Sequence, residues 1–143
     1  MEHVEYVYTS GMSETEVDEH LRSGEHGVLA LADGDDAYAV PLSYHYDGER
    51  FLLRVSEHDD DSEKGQYLRT TGTATFVRYE GSTDDSWSVH VRGPVREWDA
   101  DVDEATLNEW FPPFRLFDEA VGDVEFSLYE LGMETVIGRK TVG

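Results

Sequence analysis

The chain has 143 residues, no cysteine, and 32 acidic against 11 basic side chains, for a formal charge of −21 at pH 7. That length suits a single domain over residues 1–143 with no need of a metal or disulfide staple, and the missing cysteine excludes disulfides, thiolate catalysis and Cys-ligated zinc or iron–sulfur centres. Such a charge repels nucleic acid and anionic membranes; with no long apolar run and no basic, apolar leader, the expectation is a cytoplasmic protein that partners neither.

The first element is a helix from Ser13 to Ser23. Ser13 as N-cap and Glu16 three residues on form a capping box, Gly24 supplies the stop, and Val17 and Leu21 mark the apolar side. The period then changes to that of strands. Gly27 to Ala32 and Tyr38 to Tyr44 are apolar and β-favouring, joined by the turn Asp33-Gly34-Asp35-Asp36, and Asp47-Gly48 leads into a third strand, Phe51 to Ser56. An acidic loop, Glu57 to Asp61, precedes a short helix from Ser62 to Thr70. A fourth strand runs from Thr73 to Tyr79, and a longer one from Trp87 to about Trp98, with Gly93-Pro94 predicting a bulge or bend in its middle. Asp103 to Trp110 can form a helix that Pro112-Pro113 must end. The last strands fall between Glu125 and Lys140, with a bend at Gly132. About six strands in mostly hairpin order, without long crossover helices, predict a mainly β protein with short helices: a six-stranded antiparallel barrel.

Familiar catalytic signatures are missing. The histidines at 3, 20, 26, 45, 58 and 90 lack the spacing of a metal clamp, and no nucleophile elbow, Walker loop or dinucleotide fingerprint occurs. His45 and His90 fall in predicted strands, facing solvent or a polar cavity. What remains is a small cluster around a scarce lysine. Arg54 and Ser56 alternate on one face of the third strand, and Ser62 and Lys64 follow shortly after, so that hydroxyls and two cations can converge on an anion such as a phosphate. The first turn of the Ser62 helix adds unpaired N–H groups.

The order of these segments resembles the flavin-binding split-barrel family of pyridoxamine 5'-phosphate oxidase and its shorter, nitroimidazole-resistance-type relatives. Four stretches carry the resemblance: the opening helix and strand ending in Gly27-Val28-Leu29-Ala30; Tyr38-Ala39-Val40-Pro41-Leu42-Ser43-Tyr44; Ser62-Glu63-Lys64-Gly65 after Phe51-Leu52-Leu53; and Trp87-Ser88-Val89-His90-Val91-Arg92-Gly93. It implies an FMN-binding split barrel in which Ala39, Val40, Pro41, Leu42 and Ser43 run along the flavin ring, Ser62 and Lys64 grip its phosphate, and Arg54 and Ser56 supply neighbouring phosphate or ribityl contacts. It further implies a homodimer with the cofactor at the subunit interface, where Ser88 reaches the partner's ring. Departures limit the likeness: the Tyr38 strand lacks the oxidase's phosphate-binding Arg, Glu63 stands at an often basic position, and the carboxy-terminal Arg and His that hold the vitamin are missing. Pyridoxal phosphate synthesis is therefore not expected.

The expectation is an FMN-dependent oxidoreductase acting on a small molecule that the sequence does not name, with a cavity over the ring lined by His45, Trp87 or Trp110. A flavin-holding module without turnover, a split barrel for F420 or haem, and a dimeric interaction protein with a decayed site are the alternatives. Nine arginines to two lysines, beside abundant carboxylate, resemble the proteomes of salt-accumulating archaea. At low salt such a surface repels itself, and molar salt shortens the screening length to about 3 Å. The melting temperature should accordingly rise with KCl; one that stays level from low to molar salt refutes this.

Overall fold

The computed structural model describes residues 9–57, 63–98, 104–111 and 125–141. In chain order the elements are β1 (Thr9–Gly11), α1 (Glu14–Ser23), β2 (His26–Asp33), β3 (Asp36–Tyr46), β4 (Phe51–Glu57), α2 (Glu63–Thr70), β5 (Ala74–Gly81), β6 (Ser86–Gly93), β7 (Val95–Glu97), α3 (Glu104–Trp110), β8 (Glu125–Leu131) and β9 (Thr135–Thr141). No helix among the described residues is long and apolar enough to cross a membrane.

Local chemistry accounts for most boundaries. The capping box forms as the sequence predicts: the Ser13 hydroxyl accepts from the Glu16 N–H, and the Glu16 carboxylate accepts from the Ser13 N–H, both at 3.2 Å. Asp33 pairs with Asp36 across a two-residue turn whose first central residue, Gly34, sits at φ 60°, the type II′ geometry that matches strand twist. At the next hairpin the Asp47 carboxylate accepts from the Glu49 and Arg50 N–H groups, each at 2.8 Å, closing an Asx turn.

All pairings are antiparallel, in the order β1-β9-β6-β5-β2-β3-β4-β8-β7. The sheet has nine strands rather than the expected six because two long strands are each bent in the middle and a short β1 is added at the edge of β9. β6 pairs with β9 as far as Arg92↔Thr135, and the ladder resumes between β7 and β8 at Val95↔Leu131. Residues 93–94 thus oppose residues 132–134, a one-residue bulge that turns both strands together. The Gly132 N–H donates to the Pro94 carbonyl at 2.8 Å and the Glu134 N–H to the Arg92 carbonyl at 2.9 Å. Through this bend β6 continues into β7, whose partner β8 lies beside β4, and the sheet closes on itself.

Closure defines an inside and an outside. Leu29, Leu42, Phe51, Leu53, Phe76 and Val91 fill the interior. Tyr44 stacks on Phe51 at 4.8 Å and meets Phe76 edge-on at 5.1 Å. Its hydroxyl donates to the Leu21 carbonyl at 2.6 Å, fastening α1 over one end; burial pushes this phenol up to about 12, so it stays a donor. Leu68 of α2 joins the same core. The Thr71 hydroxyl, accepting from the Ala32 N–H at 3.1 Å and donating to the Tyr67 carbonyl at 2.5 Å, ties the end of α2 to β2.

The bend tolerates no side chain. A Cβ on Gly93 would lie 1.6 Å from the Gly132 carbonyl oxygen, whereas one on Gly72 meets nothing within 4 Å. Gly93→Ala should cost about 3 kcal/mol in denaturant unfolding, with Gly72→Ala staying within about 0.5 kcal/mol. Equal effects would show that the close approach at the bend is unimportant.

Candidate functional site

Strand alternation fixes which residues leave the barrel. On β3 the inward set is Tyr38, Val40, Leu42, Tyr44 and Tyr46, and the outward set is Ala37, Ala39, Pro41, Ser43 and His45. Of the stretch expected along a ligand, Ala39, Pro41 and Ser43 therefore face outward; Val40 and Leu42 contribute side chains to the core and only backbone to any site.

Among the described residues, the backbone of this stretch has an open edge. Residues 36–43 pair with β2 on one side, but β4 pairs with β3 only from Ser43↔Arg54 to Tyr46↔Phe51, after which residues 55–57 pair with β8 alone. The strands part at Ser43 and Arg54 and leave a fork. The Tyr44 N–H donates to the Glu25 carbonyl at 3.0 Å, which sets the hydrogen-bond parity of the β2–β3 ladder. Alternate residues bond alternate neighbours. Val40 and Leu42 thus bond β2, while Ala37, Ala39 and Pro41 turn their backbone polar groups into the fork. Pro41 has no N–H to offer, and it stands where β2 needs none.

Arg54 sits at the head of the fork, directly across from Ser43. It is half-buried, burial lowers its pKa from the ordinary arginine value, and its Nη1 donates to the Phe111 carbonyl at 3.3 Å. An arginine remains charged under these conditions. Ser56 follows in β4, and Lys64 falls in the first turn of α2; their side chains, and Ser62 altogether, lie outside the described residues. Tyr67, one turn further along α2, stacks on Tyr38 at 5.0 Å and holds the helix against the β3 end of the hairpin.

The outer face around the fork has an unusual composition. Outward positions on β2 and β3 are His26, Val28, Ala30 and Ala32, then Ala37 to His45 as above. β5 presents Thr75, Val77 and Tyr79, β6 presents Ser86, Ser88, His90 and Arg92, and β9 presents Thr135, Ile137 and Arg139. None of these is Asp or Glu, in a chain with 32 of them. Tyr79 is 65% exposed and Ile137 48%. These positions are apolar and weakly cationic on a chain that is otherwise strongly anionic, and the first outward carboxylate beyond β4 is Glu130 of β8, across from Leu52.

Ser88 lies on this face in β6, three strand spacings or about 14 Å from β3, so its expected reach is to the fork of a partner and not to that of its own chain. One sequence expectation needs correction. Trp87 points the other way: it packs against the core, stacked on His20 at 3.7 Å with the Arg78 guanidinium 5.3 Å from its ring. Alternation in β6 puts neighbouring residues on opposite faces, and the sequence did not give the inward set. His45 and Trp110 do come together, ring on ring at 4.8 Å and 10°, with Phe111 edge-on at 6.4 Å. This stack seats α3 beside the fork, where Leu52 and Phe111 are buried outside the barrel core. That second cluster was hidden in the sequence because Leu52 belongs to an unbroken apolar run, Phe51-Leu52-Leu53.

Burial lowers the His45 pKa, against smaller upward pulls from Asp47 and Glu109. The folded state thus holds the neutral ring, and the unfolded chain takes up a proton first as pH falls. The stability this histidine confers is present above its unfolded value of 6.5 and is lost on acidification below it. His45→Phe, which keeps an aromatic face toward Trp110, should reduce the loss of melting temperature between about pH 8 and about pH 5. An identical loss in both proteins would assign the acid sensitivity elsewhere.

Comparison with known proteins agrees with this architecture. No curated protein matches the chain by sequence. Among solved structures it is similar to an FAD-binding protein from Mesorhizobium loti, at TM-score 0.68 and 20% identity over 94% of this chain and 99% of that one. An FAD-binding protein from Mycobacterium smegmatis gives TM-score 0.64 and 18% identity over 92% and 98%. A haem-binding protein from the same organism gives 0.59 and 21% over 87% of this chain and 54% of the longer one. At these identities the likeness establishes the fold. The family profile described as pyridoxamine 5'-phosphate oxidase matches residues 13–140, nearly the whole barrel, and the chain is a member of that family.

Proposed function

We propose that this protein binds FMN in the fork between β3 and β4 and acts, as a homodimer, in oxidation or reduction of a small molecule. One observation carries the reading: among the described residues, a strand edge from Ala37 to Pro41 without a strand partner, with a half-buried arginine at its head and no carboxylate at the outward positions of β2 and β3. A flavin needs a flat apolar slot for its ring, backbone donors and acceptors for the polar ring edge, and positive charge for its phosphate. Ala39 and Pro41 offer a flat strip, the β3 edge offers the backbone groups, and Arg54 offers the charge. Ser56, Ser62 and Lys64 take their phosphate and ribityl roles from the family resemblance. When bound, the flavin supplies the electron-transfer chemistry; the chain positions it and excludes water.

The same face supports a dimer. With a net charge of −21, two copies meet at least electrostatic cost where neither presents carboxylates, and Tyr79, Ile137, Val28 and Val77 give that surface apolar area to bury. A twofold-related copy could also bring Ser88 to the other subunit's fork, which it cannot do within its own chain. FAD-binding relatives of the same fold fit a flavin reading, and the haem-binding relative supplies the main competitor.

The deciding experiment is the visible spectrum of protein purified in molar KCl, with mass identification of what denaturation releases. FMN is expected; a haem or deazaflavin spectrum would replace the ligand, and a protein that takes up none of the three would remove the reading. In titrations with FMN, Arg54→Ala and Lys64→Ala should each weaken binding about tenfold. Unchanged affinity in both variants would place the phosphate elsewhere.

A further inference from the structure

We infer that the mouth of the barrel beneath α1 is a second ligand site, for a small apolar molecule that carries a positive charge. Val136 of β9 pairs with Val91, so alternation directs it inward; yet Val91 is fully buried and Val136 is 38% exposed. The interior is unfilled at that point. The cause is the way α1 meets β9. Contact is close at Gly138, where a Cβ would lie 2.7 Å from the Met12 Sδ and 2.8 Å from a Val17 methyl, and at Lys140, whose ammonium meets the Glu16 carboxylate. Between α1 and the residues Met133 and Val136 lies a wedge of about 610 Å³. A volume of this size accepts a small organic molecule.

Its lining sets the chemistry. Met12, Val17, Met133 and Val136 form apolar walls, and two thioethers adapt readily to ligands of different shape. Glu14, Asp18 and Tyr46 supply the polar part. Asp18 accepts from the Tyr46 hydroxyl at 2.8 Å and from Arg22 at 2.7 Å, and the Arg22 bond comes first in holding its carboxyl below the usual range, so it is ionised at neutral pH. Among the described residues no lysine or arginine lines the wedge: Arg22 is paired with Asp18 and lies over the Tyr46 ring, and Lys140 is engaged by Glu16. An anion meets the Glu14 carboxylate, an Asp18 already paired with Arg22, and the charge of the whole molecule, whereas an ammonium group gains from Glu14 and from that overall charge.

This site is independent of the proposed flavin fork. Its β9 residues, Val136 and Gly138, lie on the opposite face of the strand from Ile137 and Arg139, and it shares no residue with the outer face. The test compares three probes of one shape, 1-naphthylmethylammonium, 1-naphthylmethanol and 1-naphthylacetate, by titration calorimetry at the lowest KCl that keeps the fold. The cation should bind about tenfold or more tighter than the acetate, with the alcohol between. Val136→Trp, which fills the wedge, should abolish binding while leaving FMN uptake unchanged. Glu14→Gln with Asp18→Asn should lower the cation's affinity toward that of the alcohol and leave the alcohol unaffected. Equal affinities for the three probes, no binding by any of them, or wild-type cation binding in Val136→Trp or in the charge variant would each overturn the inference. Lys64→Ala should not alter probe binding, so loss of the flavin reading would leave this one standing.

Discussion

The close approach of Gly93 to the Gly132 carbonyl is the contact on which the rest of the molecule depends. Only a residue without a side chain allows the two long strands to bend together there, and only that bend lets β7 and β8 complete the ring begun by β6 and β9. Without closure the sheet would have no interior for Phe51, Phe76 and Val91. It would also have no defined outer face, because inward and outward sets acquire meaning only once the sheet curls.

Closure leaves two imperfections, and each has a chemical consequence. β3 and β4 part at Ser43 and Arg54, because β4 turns to pair with β8, and the released edge of β3 keeps backbone groups unpaired among the strands. At the other imperfection, α1 touches β9 at Gly138, and a wedge between α1 and β9 leaves inward-facing Val136 38% exposed. The first opening lies beside outward positions of β2 and β3 that hold no carboxylate; the second has two at its rim. One barrel thereby presents a fork headed by an arginine and a wedge rimmed by carboxylates on opposite faces of its wall.

Charge distribution explains why these surfaces can differ on so acidic a chain. Carboxylates crowd the loops, the exposed side of α1 and the strand ends, where water and counterions solvate them. The outward positions of β2, β3, β5, β6 and β9 carry alanine, valine, hydroxyls, histidine and arginine instead. Self-repulsion between such charges limits the places where another anionic body can approach.

Much of this was legible before any coordinates. The capping box at Ser13, the two-residue turn at Gly34, the bend at Gly93-Pro94 and the hairpin order each depend on a few neighbouring residues, and local backbone preference dictates them wherever the chain goes. That Arg54 and Ser56 share one strand, β4, was legible for the same reason. Three features were not. The inward side of Trp87, the 14 Å that separate Ser88 from its own chain's fork, and the burial of Leu52 under α3 depend on which strands become neighbours and on what covers them. Sequence alone determined the period, turns and charge of each segment, because these are short-range properties. The shared outer face of β2, β3, β5, β6 and β9, the open edge of β3 and the wedge beneath α1 were decided by the tertiary structure, because each is assembled from strands and helices far apart in the chain.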